Sequence, residues 1–417
     1  MIEGQRQNKN KNIGLSMKAT MLKRMNQTCR VYTVKIDESS LSKLQKEQLK
    51  LLFLEAKWIY NYIISQPDVF SVKIGDVITK KNRDFEDVEI ELKQIGSQMK
   101  QSVVKQIQSQ IKTLSTLKRK GNTVGQLKHI KEYKSLNLKQ YGTTYRFNRN
   151  KVKLQNIKGW LRVNGLKQIP KGVDMANAKI LNTPKGYYLA ITTFIDNDKI
   201  KENDKIDEVI GVDFGCKTSF TLSNGEKINA SVQESDRLRR LQRKFEHQKK
   251  GSERRYKTLK QIKQEYQKLN NKKNDITNKI VSYLSSYKTV VIQDEQISKW
   301  KIKHGNKIQH SVLGRVKEKL KMKPNCAVLN KYLPTTKLCA KCGTYNDNLK
   351  ISDRIFVCPN CGNKEDRDIH AAQNMVWLYE NNLGVGRTEV KRVELQRIIT
   401  EICCGKEAVK REDHPLV

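Results

Sequence analysis

Two Cys-x-x-Cys pairs lie between the second and third of three short acidic segments, and no other feature constrains the chain as strongly. The pairs are Cys339 with Cys342 and Cys358 with Cys361, and fifteen residues separate them. Four cysteines at this spacing, around a short loop and a strand, are typical of tetrahedral Zn²⁺ coordination; a pair of redox disulfides explains the spacing poorly. Because four thiolates leave no open position on the metal, we predict one structural zinc ion.

The three acidic segments each end an apolar run or begin a helix. They are VIGVDFG around Asp213, VVIQDEQI around Glu295 and DRDIHAAQN around Asp368. Carboxylates from several rigid elements are what a two-metal phosphodiester-cleaving site needs, because two Mg²⁺ ions about 4 Å apart must be held by oxygen ligands. We therefore predict a nuclease in which these three acids are the catalytic residues and hold two Mg²⁺ ions.

The second segment contains two acids, and either could be the Mg²⁺ ligand. In an alternating strand Gln293 and Glu295 share one face and Asp294 lies on the other, so both acids cannot point inward. We favour Glu295, with Asp294 as the alternative.

The third segment precedes an apolar helical pattern. Asp366 is placed to cap this helix, which leaves Asp368 in the first turn to project towards a sheet. Both acids could instead only complement the helix dipole. We expect His370 to be packed or hydrogen-bonded and not a metal ligand.

The charge of the chain favours a polyanionic partner. Its 82 Lys and Arg residues against 43 Asp and Glu residues give a net charge of +39, and each phosphate neutralised by such a surface releases condensed counterions. The alternative is a lysine-rich chain without a nucleic-acid role. Basic residues beside aromatic ones, or crowded on helices, are the predicted nucleic-acid contacts: Arg146, Arg149, Lys151, Arg237, Arg240, Arg243, Arg254 and Arg255.

No stretch predicts a membrane span or a secretory signal. The most apolar one, residues 49–64, is interrupted by Glu55 and Lys57. We expect a cytoplasmic protein in a reducing compartment, in which the five cysteines outside the metal pattern are free thiols: Cys29, Cys216, Cys326, Cys403 and Cys404.

Periodicity predicts a strand over 29–36, helices over 40–64 and 98–117, and a β-rich module over 143–195. The buried strand around Asp213, followed by a short antiparallel meander, is the opening of an RNase H-like fold. Asn224 and Gly225 are predicted to form a type I′ hairpin turn. Two helical stretches over 236–284, separated near residues 249–252, follow.

On the motifs GVDFG, VVIQDEQI, PTTKLCAKCG with FVCPNCG, and DRDIHAAQN, the chain resembles TnpB, the transposon-encoded RNA-guided nuclease family, and the compact type V-F CRISPR effectors. The resemblance covers residues 206–380. Glu295-Gln296-Ile297 aligns with the family's Glu-x-Leu, although the family's second motif is usually Glu-Asp-Leu. His370 stands where the family commonly has Asn.

The resemblance implies an α+β multidomain chain: a β-barrel wedge domain with a helical insert, then an RNase H-like (RuvC) α/β nuclease domain with an inserted zinc ribbon. The implied segments are a disordered tail (1–16), a wedge-like barrel (17–36 and 140–205), a helical recognition lobe (37–139), a RuvC domain (206–334 and 367–417) and a zinc ribbon (335–366).

The function implied is RNA-guided, Mg²⁺-dependent cleavage of double-stranded DNA, with guide RNA and target DNA as partners. Guide pairing would then specify the sequence, while the protein recognises backbone, shape and a short flanking motif. A guide-independent transposase or resolvase, or a zinc-ribbon DNA-binding protein with an inactive nuclease core, are the alternatives. The sequence leaves open a monomer or a homodimer.

Overall fold

Residues 18–81, 86–199, 206–350 and 352–383 are described by the computed structural model of this chain. The chain divides into two compact units, Met1–Lys201 and Glu202–Val417, and it is of mixed α/β type. The predicted disordered tail, the last part of the predicted RuvC domain and the cysteines 403 and 404 lie outside the described residues.

The first unit contains a seven-stranded sheet in the order β4-β8-β9-β1-β7-β6-β5, in which neighbouring strands are antiparallel. The strands are β1 (Gln27–Ile36), β4 (Ser135–Leu138), β5 (Tyr145–Asn148), β6 (Lys151–Leu154), β7 (Leu161–Asn164), β8 (Asp174–Thr183) and β9 (Gly186–Asp196). The Tyr145 hydroxyl on one edge strand donates to the Ala176 carbonyl near the opposite edge, at 2.9 Å. The sheet is therefore curved into a nearly closed barrel.

Two long helices and a hairpin also belong to this unit: α1 (Lys43–Ile64), α2 (Ser97–Arg119), and β2 (Val77–Lys81) paired with β3 (Asp87–Glu91). Both helices lie where periodicity predicted them. Glu55, which interrupts the apolar stretch of α1, is buried, and its carboxylate accepts backbone N–H groups of Lys93, Gln94 and Ile95. The segment 37–139, which was predicted to be a helical lobe, therefore also contains the strands β2 and β3, which the sequence pattern did not predict.

The second unit is built on a five-stranded sheet in the order β12-β11-β10-β13-β14. Its strands are β10 (Ile206–Phe214), β11 (Phe220–Leu222), β12 (Lys227–Ile228), β13 (Tyr287–Gln293) and β14 (Cys326–Leu329). The first three form an antiparallel meander, whereas β10, β13 and β14 are parallel. Parallel strands end at one edge, so the residues that follow β10 and β13 are brought together there.

The prediction of a type I′ turn between β11 and β12 is wrong. Of the Asn224-Gly225 pair only Gly225 has a positive φ, of 91°, and its N–H donates to the Leu222 carbonyl at 3.0 Å. A turn that carries a single left-handed glycine at its last position closes the hairpin, so the second positive-φ residue of a type I′ turn is not needed.

Helices cover both faces of the second sheet: α3 (Asp236–Glu246), α4 (Glu253–Leu284), α5 (Lys301–His310), α6 (Leu313–Leu320) and α7 (Arg367–Glu380). Helices α3 and α4 are separated at residues 247–252, as predicted, and Ser252 caps α4. One face of the sheet forms a core with α4 and α6.

Helix α7 packs closely on the opposite face of the sheet. A side chain at Gly211 in β10 would overlap the backbone carbonyl oxygen of Ala372 in α7. The helix backbone therefore rests directly on the strand that carries Asp213.

Candidate active site and metal centre

Asp213 is the penultimate residue of β10, two residues beyond Gly211 and so on the face that α7 covers. Burial, followed by the negative charges of Glu295 and Asp368, raises the pKa of its carboxyl well above the ordinary value. The fold therefore brings Asp213 within electrostatic reach of Glu295 and of Asp368, although the three acids are far apart in sequence.

Glu295 follows β13, in a turn where its N–H donates to the Gln293 carbonyl. Burial raises the pKa of its carboxyl to about 7, against the opposing effect of Lys317. Its Oε2 atom is buried and has no hydrogen-bond partner. A buried carboxylate oxygen without a partner is costly unless a cation is bound to it, and hard cations such as Mg²⁺ take such oxygens as ligands.

Asp294 has a different environment. Its Oδ1 lies 2.8 Å from Lys317 Nζ and 2.5 Å from Lys321 Nζ, and hydrogen bonds from these two lysines lower the pKa of its carboxyl. The Lys317 side chain is buried, and its Nζ also donates to the Glu295 backbone carbonyl. Asp294 is thus already paired with two lysines. This arrangement favours Glu295 as the acid that is available to bind a metal ion.

The strand alternation used to predict the facing of these acids does not extend to residue 295, because β13 ends at Gln293. The Gln293 amide points into the protein, where it donates to the carbonyls of Asn330 and Leu333. The turn and the contact with Lys317, rather than strand pleating, set the position of Glu295. No pattern in the sequence around Lys317 indicated this contact.

Asp368 lies in the first turn of α7, and Asp366 is the N-cap, as predicted. The Asp366 carboxylate accepts the N–H groups of Asp368 and Ile369 at 3.0 and 3.2 Å. The Asp368 carboxylate is partly buried beside Arg367, at 3.3 Å, and Arg354, at 3.9 Å. These guanidinium groups offset part of the negative charge of the three acids.

Asp213, Glu295 and Asp368 thus come from a strand end, a turn and a helix start. Asp213 lies within reach of the negative charges of the other two acids, and Glu295 has a buried oxygen without a hydrogen-bond partner. Carboxylate oxygens in this setting suit divalent cations. The residues present fit Mg²⁺.

The four cysteines of the two pairs converge. Their Sγ atoms all lie within 4.8 Å of one another, with 3.7 Å between Cys339 and Cys361 and 3.4 Å between Cys342 and Cys358. Zn–S bonds of about 2.3 Å in a tetrahedron place sulfurs about 3.8 Å apart. The cluster therefore fits Zn²⁺.

The two cysteine loops share one backbone design. Gly343 and Gly362 directly follow the second cysteine of each pair, have positive φ values of 71° and 69°, and donate to the carbonyls of Cys339 and Cys358. A left-handed glycine lets each loop curl so that both sulfurs point to one centre.

The cysteine segment is tied to α7 through His370. Its ring stacks on Phe356 with centroids 3.8 Å apart. Its Nε2 lies 2.7 Å from the Leu338 carbonyl, and Asn374 Nδ2 donates to that carbonyl at 2.7 Å. His370 is therefore packed and hydrogen-bonded, as expected, and the strand pair β15 (Ile355–Val357) and β16 (Lys364–Asp366) leads directly into the helix of Asp368.

The predicted nucleic-acid contacts differ in what their side chains do. Arg146, Arg149, Lys151, Arg240, Arg243 and Arg254 are exposed. Exposed Arg237 is paired with Glu265 at 3.4 Å. Arg255 Nη1 donates to the carbonyls of Phe245 and Gln248, and its guanidinium lies 3.7 Å from the Phe245 ring centroid. Arg255 thus joins α3 to α4, and its guanidinium has internal partners.

Two family models match the two regions of the chain that contain the motifs. Residues 193–305 match the family model OrfB_IS605, described as "Probable transposase", and residues 315–375 match the "Cas12f1-like, TNB domain" model. The two matched segments contain Asp213, Glu295, Asp368 and the four cysteines. These matches support a resemblance to the TnpB-like family. The resemblance drawn from the motifs is confirmed.

A curated relative agrees with this assignment. This chain is 26% identical over 229 residues to a Streptomyces pristinaespiralis protein named "Putative RNA-guided DNA endonuclease". The match spans 52% of this chain and 56% of that protein.

One solved structure aligns with most of this chain. The cryo-EM structure of a Cas12f1–sgRNA–target DNA complex aligns with 84% of this chain and 99% of its own, with 12% identity and a TM-score of 0.44. Across the described residues, every helix is too short or too polar to cross a bilayer.

Proposed function

We propose that this chain is an RNA-guided, Mg²⁺-dependent DNA endonuclease with a single RuvC-type active site. The observation that carries the proposal is that Asp213 is buried within reach of the charges of Glu295 and Asp368, while the buried Oε2 of Glu295 has no hydrogen-bond partner. The sheet order supports an RNase H-like domain, because the antiparallel meander of β10, β11 and β12 is extended by the parallel strands β13 and β14, and acids lie at the ends of β10 and β13.

In this proposal the carboxylates of Asp213, Glu295 and Asp368 would hold two Mg²⁺ ions, and the chemistry that such ions would supply is activation of a water molecule and stabilisation of the leaving oxyanion. Asp213 is fixed by its strand and by the close packing of α7. Asp368 is fixed by the Asp366 cap, and Glu295 by the contact of its carbonyl with Lys317. Each acid is thus presented by a rigid element, as a preorganised site requires.

The four-cysteine segment holds one structural Zn²⁺. Its two loops and the stack of Phe356 on His370 couple this ribbon to the helix that begins beside Asp368. The ribbon would therefore hold the first turn of α7 in place, in addition to any contact that it makes with nucleic acid.

Guide RNA and target DNA are the proposed partners. The net charge of +39, the exposed arginines and the name of the Streptomyces relative support them. A guide-independent transposase is the second candidate, because the description of the OrfB_IS605 family favours it. The intact acid cluster argues against a DNA-binding protein with an inactive core.

The test is cleavage by purified protein, with and without RNA transcribed from its own locus. We expect Mg²⁺-dependent cutting of double-stranded DNA only where the RNA carries a matching segment. Asp213→Asn and Asp368→Asn should remove cutting and leave nucleic-acid affinity unchanged, because they alter metal ligands and not phosphate contacts. Efficient cutting by RNA-free protein at unrelated sites would favour the transposase.

A further inference from the structure

The four residues Asn330–Leu333, which we call the 330 turn, form a rigid turn directly after β14. Buried Gln293 holds it at both ends, because its Nε2 donates to the carbonyls of Asn330 at 3.1 Å and Leu333 at 2.7 Å. Within the turn, the Tyr332 N–H donates to the Asn330 side chain at 3.0 Å. The backbone is thus well anchored, and a buried amide is committed to anchoring it.

The two central side chains of the 330 turn point outward. Tyr332 is 69% exposed, and the Lys331 ammonium lies over its ring, 4.5 Å from the centroid. Packing within the described part of the second unit therefore does not account for an aromatic residue at this position. An exposed ring beside a cation is the combination that stacks on a nucleobase and contacts its phosphate.

The 330 turn lies at the edge of the sheet that carries the acids. Leu329, immediately before it, pairs with Gln293 in the parallel register of β13 and β14, and the Asp294 N–H donates to the Leu329 carbonyl at 2.9 Å. Gln293 is the last residue of β13 and stands two residues before Glu295, so the turn that it anchors lies beside the end of the strand that leads into the second acid.

We propose that Tyr332 stacks on a base of the DNA strand being cut, beside the scissile phosphate, and that Lys331 contacts the adjoining backbone. This inference rests on the proposed nuclease function. It adds a contact that would position the DNA strand over the acids. Stacking is available on every base, so the contact suits an enzyme whose sequence choice is made elsewhere. Tyr332 is a positioning residue and takes no part in the chemistry.

Single-turnover cleavage tests the proposal on targets in which one nucleotide at a time is made abasic. For the wild-type complex we expect one abasic position near the cut to slow cleavage by about 5- to 150-fold, the effect of losing one stacked base. Tyr332→Ala should slow cleavage of the intact target by a similar factor and broaden the cut positions. Tyr332→Trp should retain both the rate and the cut position.

The decisive result is that the effects of Tyr332→Ala and of the abasic nucleotide on the cleavage rate are not additive. In Tyr332→Ala the sensitive abasic position should cause no further loss, whereas Tyr256→Ala, at a tyrosine 64% exposed on α4, should retain the full abasic effect. Equal rates for Tyr332→Ala and wild type, or additive losses, would overturn the inference. If no guided cutting occurs, the same abasic scan is made as a binding experiment, by fluorescence anisotropy on labelled single-stranded DNA with Ca²⁺. This experiment tests the Tyr332 contact separately, so a failure of the proposed nuclease function is distinguished from a failure of the proposed contact.

Discussion

The ammonium nitrogen of Lys317 lies 2.8 Å from a carboxylate oxygen of Asp294. Through this contact a buried lysine on α6 is neutralised by the residue that immediately precedes the proposed metal ligand Glu295. Two adjacent acids, which are chemically alike in the sequence, therefore have opposite environments: the Asp294 carboxylate contacts two lysines, whereas the Glu295 carboxylate has a buried oxygen without a hydrogen-bond partner.

Glu295→Gln and Asp294→Asn should separate these roles. We expect Glu295→Gln to reduce cleavage by more than about 100-fold, since even outer-shell ligand partners are worth 10- to 100-fold, with unchanged thermal stability in EDTA or a small gain. Asp294→Asn should retain most cleavage but lower the free energy of unfolding by about 1–3 kcal/mol, because Lys317 loses its counter-charge. Cleavage rates and chemical denaturation check both. An inactive Asp294→Asn beside an active Glu295→Gln would reverse the assignment.

The stability of the metal-free protein should depend on pH through Glu295. Its pKa is raised to about 7 by burial, so between about pH 4.5 and 7 the unfolded chain is ionised while the folded carboxyl keeps its proton. Folding stability should therefore fall as pH rises through this window, by at most about 3 kcal/mol from this group. Added Mg²⁺ should restore stability above pH 7.

The comparison that isolates this effect is wild type against Glu295→Gln, by thermal unfolding in EDTA at pH 5 and pH 7.5. The difference in melting temperature between the two pH values should be smaller in the variant, and the stabilisation by Mg²⁺ should be weaker. Identical pH profiles would contradict the environment described for Glu295.

Elemental analysis should find one Zn²⁺ per chain. Cys339→Ser and Cys358→Ser should lose the metal and unfold residues 335–366, because metal-binding energy is folding energy in such small modules. Cys326→Ser alters a thiol outside the cluster and should retain zinc. Protein that is purified without chelators and lacks zinc would contradict the assignment.

Arginines of the α3–α4 pair should fall into two classes. Replacement of exposed Arg240 or Arg243 by Ala should weaken RNA binding and lower the slope of log K against log salt by about 0.7–0.9 per residue, with little effect on melting temperature. Arg255→Ala should instead destabilise the pair by about 1–3 kcal/mol, because two carbonyls lose a charged donor. Filter binding at several salt concentrations, with thermal unfolding, distinguishes them.

The sequence supported those predictions that rest on local chemistry. The cap at Asp366, the interruption between α3 and α4, and the helices of the first unit follow from spacing and side-chain type alone. The strands within 77–91 were missed because they are short and polar. The partner of Asp294 was missed because Lys317, 23 residues later, resembles any surface lysine in the sequence and becomes buried only when α6 packs.

The fit of α7 against Gly211 has a consequence for how this protein tolerates change. A methyl group at position 211 would push the helix off the strand, and Asp368 would then move relative to Asp213. A mutational scan scored on DNA cutting would therefore place Gly211 among the most intolerant positions, beside the acids. The lack of a side chain at position 211 would then be under as much selection as the carboxylates themselves.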